Sequence, residues 1–212
     1  MKKAILFDLD GTLTDSGEGI INCAELSLRH FGLPVPDRKT MRVFVGPPLD
    51  ETFVKFGVPA DKTDEAIAVY RSRYTTVGLF ENYPYPGIED ALKALTAQGH
   101  RLFVATSKPE EMSKQILEKF DLAKYFEKIC GATLDGKRSS KADVIAYLLS
   151  HVDDLAHTVM VGDTTYDVIG AKKHGISTIG VSWGYGEVAD MQAAGAAAIA
   201  QTTDELVVLL QE

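Results

Sequence analysis

Short apolar runs, most of them rich in β-branched residues, alternate along the chain with stretches of amphipathic helical periodicity. Helical patterns such as EEMSKQILEKF and TTYDVIGAKKHG follow most of the runs within a few residues. This alternation predicts an α/β fold in which a parallel sheet is covered by helices. Such sheets carry their functional sites at the carboxyl ends of the strands. The six runs are AILFDL (4–9), HRLFVAT (100–106), EKICGAT (127–133), HTVMVGD (157–163), ISTIGVS (176–182) and AAAIA (196–200).

The stretch between the first and second runs departs from this alternation. It contains roughly 85 residues of mostly helical periodicity, whereas a single crossover needs far fewer. Two prolines and a glycine in ENYPYPG (81–87) mark a linker before the helical pattern IEDALKALTAQG. We therefore predict two domains, a sheet-containing core formed by residues 1–15 and 82–212 and a helical insert formed by residues 16–81.

Composition limits the classes of partner. The 212 residues are 45% hydrophobic, enough for a full core, and carry a formal net charge of −8 with the basic residues dispersed. Because no positive stripe is available for a phosphate backbone, we predict no nucleic-acid partner. Few apolar residues precede Asp8, which predicts no signal peptide, and no later run approaches the ~20 residues of a membrane span. The sequence thus predicts a cytoplasmic protein without a membrane partner, in which Cys23 and Cys130 are reduced core thiols.

Two pairs of aspartates stand at predicted strand ends. Asp8 and Asp10 lie two residues apart, so both project to the same side of an extended strand. Asp163 ends another apolar run, and Asp167 follows one helical turn later, facing the same direction. If these strand ends are neighbours in the sheet, up to four carboxylates converge at one edge. Such a cluster requires a hard divalent cation, and Mg²⁺ best suits a site that also takes phosphate.

Donors for phosphate oxygens are found at two further strand and helix ends. Thr106 and Ser107 follow the second run, and Lys141 opens the helix predicted for SSKADVIAYLL, where backbone amides also favour anions. Together with the carboxylates, they form a set suited to phosphoryl transfer. Taken singly, several of these residues also have common structural explanations, namely a hairpin turn at Asp10 and Gly11, a helix N-cap at Asp163, and a surface or loop charge at Lys141 or Lys108.

Other ligand-binding motifs are incomplete. GATLDGKR (131–138) begins like a phosphate-binding P-loop, but Arg138 stands where Ser or Thr must hold Mg²⁺, and Asp135 would repel phosphate. A calcium loop that began at Asp8 would need a glutamate where Gly19 stands. The five histidines lack zinc-ligand spacing, and GVSWGYGE does not follow the first strand, where a dinucleotide fingerprint belongs.

The motifs DLDGT, VATSK, SSKADVI and VGDTTYD, in this order over nearly the whole chain, resemble the four ordered motifs of the haloacid dehalogenase superfamily. The helical insert resembles the cap domain of its phosphoglycolate-phosphatase-like branch. This resemblance implies a Rossmann-like three-layer core with a parallel sheet, plus a small helical cap inserted after the first strand. It also implies Mg²⁺-dependent hydrolysis of a phosphomonoester through an aspartyl-phosphate.

The resemblance also implies roles for the aspartates. Asp8 would be the nucleophile, and Asp10 would protonate the leaving oxygen and then activate the hydrolytic water. Asp8, Asp163 and the backbone carbonyl of Asp10 would hold Mg²⁺, and Asp167 would support the metal and the nearby lysine. A carboxylate attacks a phosphate dianion poorly, so neighbouring positive charge is essential to this chemistry.

The transferring phosphoryl group would be bound by Thr106 and Lys141. We prefer Lys141 to Lys137 because it opens the apolar helix. The motif TSK replaces the TNK often found in phosphoglycolate phosphatases, so the resemblance does not fix that particular substrate. The predicted substrate-binding residues are Gly11, Thr12, Ser107 and, in the insert, Arg42.

Several activities share this set of aspartates. Asp10 argues against the dehalogenase branch, where a different residue is expected two positions after the nucleophile, so the predicted partner is a small phosphorylated metabolite. Alternatives are a sugar phosphomutase resembling β-phosphoglucomutase, a pyrophosphatase or a 5′-nucleotidase. A phosphate-sensing protein without turnover is the non-enzymatic alternative. No oligomeric state is predicted.

Overall fold

The computed structural model describes residues 2–151 and 157–211, and the chain divides into two compact units. The first unit consists of residues 1–14 and 84–212, and the second of residues 15–83. The first boundary therefore follows residue 14 where the sequence suggested 15, and the second follows residue 83 where it suggested 81. Residues 1, 152–156 and 212 of the predicted core lie outside the described residues.

Strands form at all six of the predicted apolar runs. Two further two-residue strands contain the points at which the chain passes between the units. The strands are β1 (Ala4–Phe7), β2 (Thr14–Asp15), β3 (Tyr83–Pro84), β4 (Arg101–Pro109), β5 (Lys128–Ala132), β6 (Thr158–Gly162), β7 (Ser177–Val181) and β8 (Ala198–Ala200).

Helices follow most strands of the first unit and make up most of the second. Those of the second unit are α1 (Gly17–His30), α2 (Arg38–Met41), α3 (Leu49–Lys55) and α4 (Thr63–Tyr74), with one-turn 3₁₀ helices at Arg42–Phe44, Ala60–Lys62 and Gly78–Phe80. Those of the first unit are α5 (Ile88–Ala97), α6 (Glu110–Lys119), α7 (Lys141–Leu149), α8 (Thr165–Lys172), α9 (Val188–Ala194) and α10 (Thr203–Gln211), with a 3₁₀ helix at Ala123–Tyr125. None of the described helices has the length and apolar character needed to span a membrane.

The six main strands form one parallel sheet in the order β5-β4-β1-β6-β7-β8. All four residues of β1 are buried, as expected of a central strand with helices on both faces. Leu6, Phe103 and Met160, from three adjacent strands, pack in one buried cluster with Val144 and Leu148 of α7. The predicted α/β fold with a parallel sheet is confirmed.

The register of the sheet sets where a site can form. Phe7, the last residue of β1, lies opposite Val104 of β4 on one side and Val161 of β6 on the other. The strand order reverses at β1, because β4 and β5 lie on one side of it and β6 to β8 on the other. In open α/β sheets, such a reversal leaves a crevice at the carboxyl ends of the strands. The residues that follow β1 and β6 therefore come close to one another and to the last residues of β4.

The second unit is helical, with α1 packed against α4. Arg73 near the end of α4 donates to both carboxylate oxygens of Glu81, at 2.7 Å each, and Asn22 of α1 donates to the same carboxylate at 3.2 Å. Arg73 also lies 3.5 Å from the sulfur of Cys23. This network ties the two long helices to the segment that leads out of the unit.

Candidate active site

The segment after β1 forms a tight turn that carries Asp8. The amide of Asp8 donates to the carbonyl of Val161 at 2.9 Å, and the amides of three later residues, 12 to 14, converge on the carbonyl of Leu9 at 2.9 to 3.3 Å. Gly11 has φ +86°, a left-handed conformation that glycine adopts without strain. Because β1 pairs with parallel strands on both sides, Asp10 and Gly11 are not the turn of a hairpin in this sheet.

Lys141 is the charged centre of the site. It opens α7, whose N-cap Ser140 accepts a hydrogen bond from the amide of Asp143. Its ammonium group lies 2.7 Å from Asp8 Oδ1 and 2.8 Å from Asp167 Oδ1, and it donates to the carbonyl of Ala105 at 2.9 Å. The two ion pairs and this hydrogen bond compensate the buried charge of Lys141.

Three carboxylates form a buried group, and two of them, Asp8 and Asp167, contact this lysine. Asp8, Asp163 and Asp167 each offer an oxygen, and these oxygens lie within 4.8 Å of one another. All three side chains are buried, with Asp163 and Asp167 at 0% exposure. Asp167 is oriented by Thr164, whose amide and hydroxyl donate to Oδ2 at 3.0 and 2.9 Å. These three buried carboxylates stand beside one lysine, so they carry more negative than positive charge. Hard oxygen donors with excess negative charge fit Mg²⁺.

The electrostatics of the carboxylates support this fit. Burial raises the pKa of Asp8 from its ordinary 3.8 to about 6, against the attraction of Lys141, and repulsion from Asp167 adds to the rise. Burial also raises the pKa of Asp163 well above 3.8, and repulsion from Asp167 and Asp8 adds to it. Burial acts to lower the pKa of Lys141, but Asp167 and Asp8 outweigh it and raise that pKa. A cation bound here would favour the ionised carboxylates.

The carboxylate of Asp10 is not part of this group of three. Both of its oxygens lie 2.8 Å from the ammonium group of Lys108, and the two side chains are largely buried. Lys108 lies in β4, which extends to Pro109, and its amide donates to the hydroxyl of buried Thr106 at 3.2 Å. Sequence reasoning treated Lys108 as a loop charge. The available signal was its spacing of two from Thr106, which places both residues on one side of an extended strand.

The remaining predicted substrate residues occupy different surroundings. Thr12 is buried, and its hydroxyl donates to Asp163 Oδ1 at 3.3 Å, while Gly11 packs so closely on Asp163 that a Cβ there would lie 2.1 Å from Oδ2. Ser107 is half-buried beside Thr106. Arg42 lies in the second unit, exposed in the 3₁₀ helix Arg42–Phe44.

Lys137, the alternative to Lys141 for binding the phosphoryl group, is at the surface. The side chain of Lys137 is 86% exposed and pairs with Asp135. Arg138, next in the chain, donates to the carbonyl of Gly131 at 2.7 Å and to Glu110 at 2.9 Å. The segment 131–138 is therefore held by its own arginine and does not present the lysine of a phosphate-binding loop. Lys141 is the lysine of this region that the structure brings to the carboxylates.

Comparisons with known proteins find relatives along most of the chain. The family model described as haloacid dehalogenase-like hydrolase matches residues 5–181. The tyrosine-protein kinase PtkA of Mycobacterium tuberculosis is 43% identical over 205 residues, which cover 95% of this chain and 70% of that protein. A 5′-nucleotidase of Pseudomonas aeruginosa is 40% identical over 191 residues, which cover 89% of this chain and 86% of that protein.

A solved structure and two less similar relatives also match most of the chain. The crystal structure of a predicted phosphatase from Clostridium acetobutylicum matches with a TM-score of 0.94 at 44% identity, covering 100% of this chain and 99% of that one. A phosphoglycolate phosphatase of Aquifex aeolicus is 35% identical and covers 86% of each chain. The pyrophosphatase PpaX of Bacillus velezensis is 34% identical, covering 85% of this chain and 83% of that protein.

Proposed function

The chain belongs to the haloacid dehalogenase-like hydrolases and is a phosphatase of that family, and we propose that it uses Mg²⁺ to hydrolyse a small phosphomonoester through an aspartyl-phosphate on Asp8. The family predicted from the four motifs is thereby confirmed. The observation that carries the proposal is the buried group of Asp8, Asp163 and Asp167 at one edge of the sheet, in which Asp8 and Asp167 contact Lys141.

Nucleophilic attack is the first step that this geometry supports. An oxygen of Asp8 bonds to phosphorus while the bond from phosphorus to the ester oxygen breaks. Lys141 lies 2.7 Å from Asp8 and balances negative charge in the buried site. Thr106, buried in the second half of β4, would bind an oxygen of the phosphoryl group. We assign Ser107, Thr12 and Gly11 to the surrounding phosphate-binding surface.

Asp10 has the role of proton carrier in this proposal. It would give a proton to the leaving oxygen and later take one from the water that attacks the aspartyl-phosphate, which returns Asp8 as a carboxylate. Lys108, 2.8 Å from both Asp10 oxygens, holds that carboxylate in place. We therefore add Lys108 to the predicted site as the residue that positions Asp10.

The metal site would be formed by Asp8, Asp163 and the backbone carbonyl of Asp10, supported by Asp167. Bound Mg²⁺ would neutralise charge on the phosphoryl oxygens. The helical second unit would act as the cap that selects the leaving group, with Arg42 as a candidate contact for a second negative group on the substrate.

A cytoplasmic location remains a prediction of the sequence.

Phosphate release tests the proposal. Wild type and Asp8→Asn are assayed with a panel of nucleoside monophosphates, phosphoglycolate, sugar phosphates and pyrophosphate, each with MgCl₂ and with EDTA. We expect Mg²⁺-dependent release from at least one compound by wild type and none by Asp8→Asn, because an amide cannot form the covalent intermediate. Release that persists in Asp8→Asn contradicts the mechanism.

Transfer to a hydroxyl group other than that of water is the second candidate. The same covalent intermediate can pass its phosphoryl group to an alcohol or phenol, and the relative PtkA, 43% identical, is named a tyrosine-protein kinase. Incubation with γ-labelled ATP, followed by phosphoamino-acid analysis of the protein, distinguishes the two. Label on tyrosine that depends on Asp8 favours transfer, whereas label only in free phosphate favours hydrolysis.

A further inference from the structure

A six-residue loop after β7 contacts two segments that carry the proposed chemistry. This loop, residues 182–187 with the sequence SWGYGE, is called the Trp183 loop here. The indole N–H of Trp183 donates to the carbonyl of Thr12 at 3.1 Å, and the amide of Tyr185 donates to Asp163 Oδ2 at 2.8 Å. One loop therefore holds both the turn that follows Asp8 and the carboxylate of Asp163.

Two glycines allow this close approach. A Cβ at Gly184 would lie 2.3 Å from Asp163 Oδ2 and 2.4 Å from the carbonyl oxygen of Gly11. A Cβ at Gly186 would lie 2.1 Å from the carbonyl oxygen of Asp163. Atoms cannot approach so closely, so a side chain at either position must displace the loop or the aspartate.

The loop acts on two hydrogen bonds to the Asp163 carboxylate, one directly and one through Thr12. The amide of Tyr185 gives the shorter one, 2.8 Å, directly. The hydroxyl of Thr12 gives the longer one, 3.3 Å, and the carbonyl of the same residue is the acceptor for Trp183. The orientation of Asp163 and the position of the turn after Asp8 are thus coupled through residues far away in the sequence.

We infer that Trp183 and Gly184 are positioning residues, which hold Asp163 and the turn after Asp8 in the relative arrangement that binds Mg²⁺. The inference rests on the proposed function in one respect, that Asp163 is a metal ligand. It predicts that substitutions in the loop weaken Mg²⁺ binding more than they lower kcat at saturating Mg²⁺. It also predicts that Mg²⁺ binding changes the environment of the indole ring.

Intrinsic fluorescence gives a direct readout, because Trp183 is the one tryptophan of the 212 residues. MgCl₂ is titrated into wild-type protein after dialysis against EDTA and then against metal-free buffer, with choline chloride of equal ionic strength as the salt control. We expect a saturable change in tryptophan emission with MgCl₂ alone. Asp163→Asn, which keeps the indole but loses a metal ligand, should abolish the change.

Two loop variants and a matched glycine control separate positioning from general destabilisation. Trp183→Phe keeps an aromatic ring and removes the N–H, and should weaken Mg²⁺ binding by about five- to tenfold, the factor given by one lost hydrogen bond. Gly184→Ala should weaken it further. Gly175→Ala introduces backbone strain at φ +69° in open space, so it should lower stability and leave Mg²⁺ affinity unchanged.

Calorimetric titration with MgCl₂ measures affinity in all variants, and activity at increasing MgCl₂ gives the half-activating concentration and kcat. For Trp183→Phe we expect a higher half-activating concentration with kcat at saturating Mg²⁺ within about twofold of wild type, since one hydrogen bond at a distance affects mainly binding. The inference is overturned if Trp183→Phe binds Mg²⁺ as tightly as the wild-type protein does. It is also overturned if tryptophan emission does not change while Mg²⁺ binds, or if the wild-type protein does not bind Mg²⁺.

The outcomes for the loop and for the proposed function are distinguishable. If no compound in the panel releases phosphate, but Mg²⁺ changes the emission and Trp183→Phe binds Mg²⁺ more weakly, the phosphatase proposal fails and the loop inference is supported. If phosphate release requires Mg²⁺ and Asp8, but Trp183→Phe retains wild-type Mg²⁺ affinity, the function is supported and the loop inference is overturned.

Discussion

Lys108 places its ammonium group 2.8 Å from both carboxylate oxygens of Asp10, and both side chains are largely removed from solvent. The two residues are 98 positions apart and come from the ends of adjacent strands. A buried ion pair of this kind adds little net stability, since both charges lose their hydration. It does fix the geometry of each partner, as the role of proton carrier proposed for Asp10 requires.

Replacement of Lys108 should therefore impair both stability and turnover. Lys108→Met leaves the Asp10 carboxylate buried without its counter-charge, and loss of one member of a buried pair costs about 3–5 kcal/mol of unfolding free energy. The Lys108→Met, Asp10→Asn double variant should be more stable than Lys108→Met alone, because no charge remains unpaired. Urea unfolding of the variants and kcat measurements check this, with Lys137→Met as the surface control. A double variant no more stable than the single one would contradict the prediction.

Most of this site could be predicted from the sequence because its residues stand at the ends of continuous apolar runs. In a parallel sheet covered on both faces, such runs identify the strands, and the residues that follow them must meet at one edge. Asp8, Asp163 and Lys141 were predicted on this basis together with the motif resemblance, and the structure brings them together.

Two features could not be predicted in the same way. Lys108 precedes a proline, which suggested that the strand had already ended. Instead β4 continues to Pro109, and its pairing with β5 shifts register between Ala105 and Pro109, an irregularity of the kind that tolerates proline. The bond between Trp183 and Thr12 joins residues 171 positions apart. Such a contact depends on the path of a loop over the finished sheet, and no local pattern encodes that path.

Asp8→Asn should change the pH dependence of stability in metal-free protein. The pKa of Asp8 in the folded state, about 6, exceeds its ordinary value of 3.8, so the folded state favours the protonated form. Ionisation therefore lowers wild-type stability as pH rises from about 4 to about 6, and the full loss persists at higher pH. Asp8→Asn lacks this loss.

Thermal unfolding in EDTA between pH 4 and 7.5 measures the effect. The Tm of Asp8→Asn minus the Tm of wild type should grow over pH 4 to 6 and then level off. Asp50→Asn, an exposed position at the start of α3, serves as the control and should show no such growth. A difference that is constant over this range would show that the Asp8 carboxylate is not destabilised by its burial.

Lys141→Met should lower both stability and turnover strongly. Lys141 contacts Asp8, Asp167 and the carbonyl of Ala105, so its loss leaves buried carboxylates facing one another. We expect a loss of about 3–5 kcal/mol in the free energy of unfolding and a fall in kcat of at least about 100-fold. Mg²⁺ should restore part of the stability, because a cation replaces some of the missing charge. Urea unfolding with and without MgCl₂, beside Lys137→Met, tests this, and equal stability of the two variants would refute it.

Both cysteines should resist alkylation in the folded protein. Burial, with repulsion from Glu110, raises the pKa of the Cys130 thiol to about 11, and burial raises that of Cys23 as well, against an opposing hydrogen bond from Arg73. The thiolate is the reactive form, so at pH 8 only about one part in a thousand of Cys130 could react even if reagent reached it. Mass spectrometry after iodoacetamide treatment should therefore show unmodified native protein and two modified cysteines in urea. Phosphate release should therefore be the same before and after treatment of the native protein. Rapid modification of either cysteine under native conditions would contradict the prediction and show that its surroundings open readily.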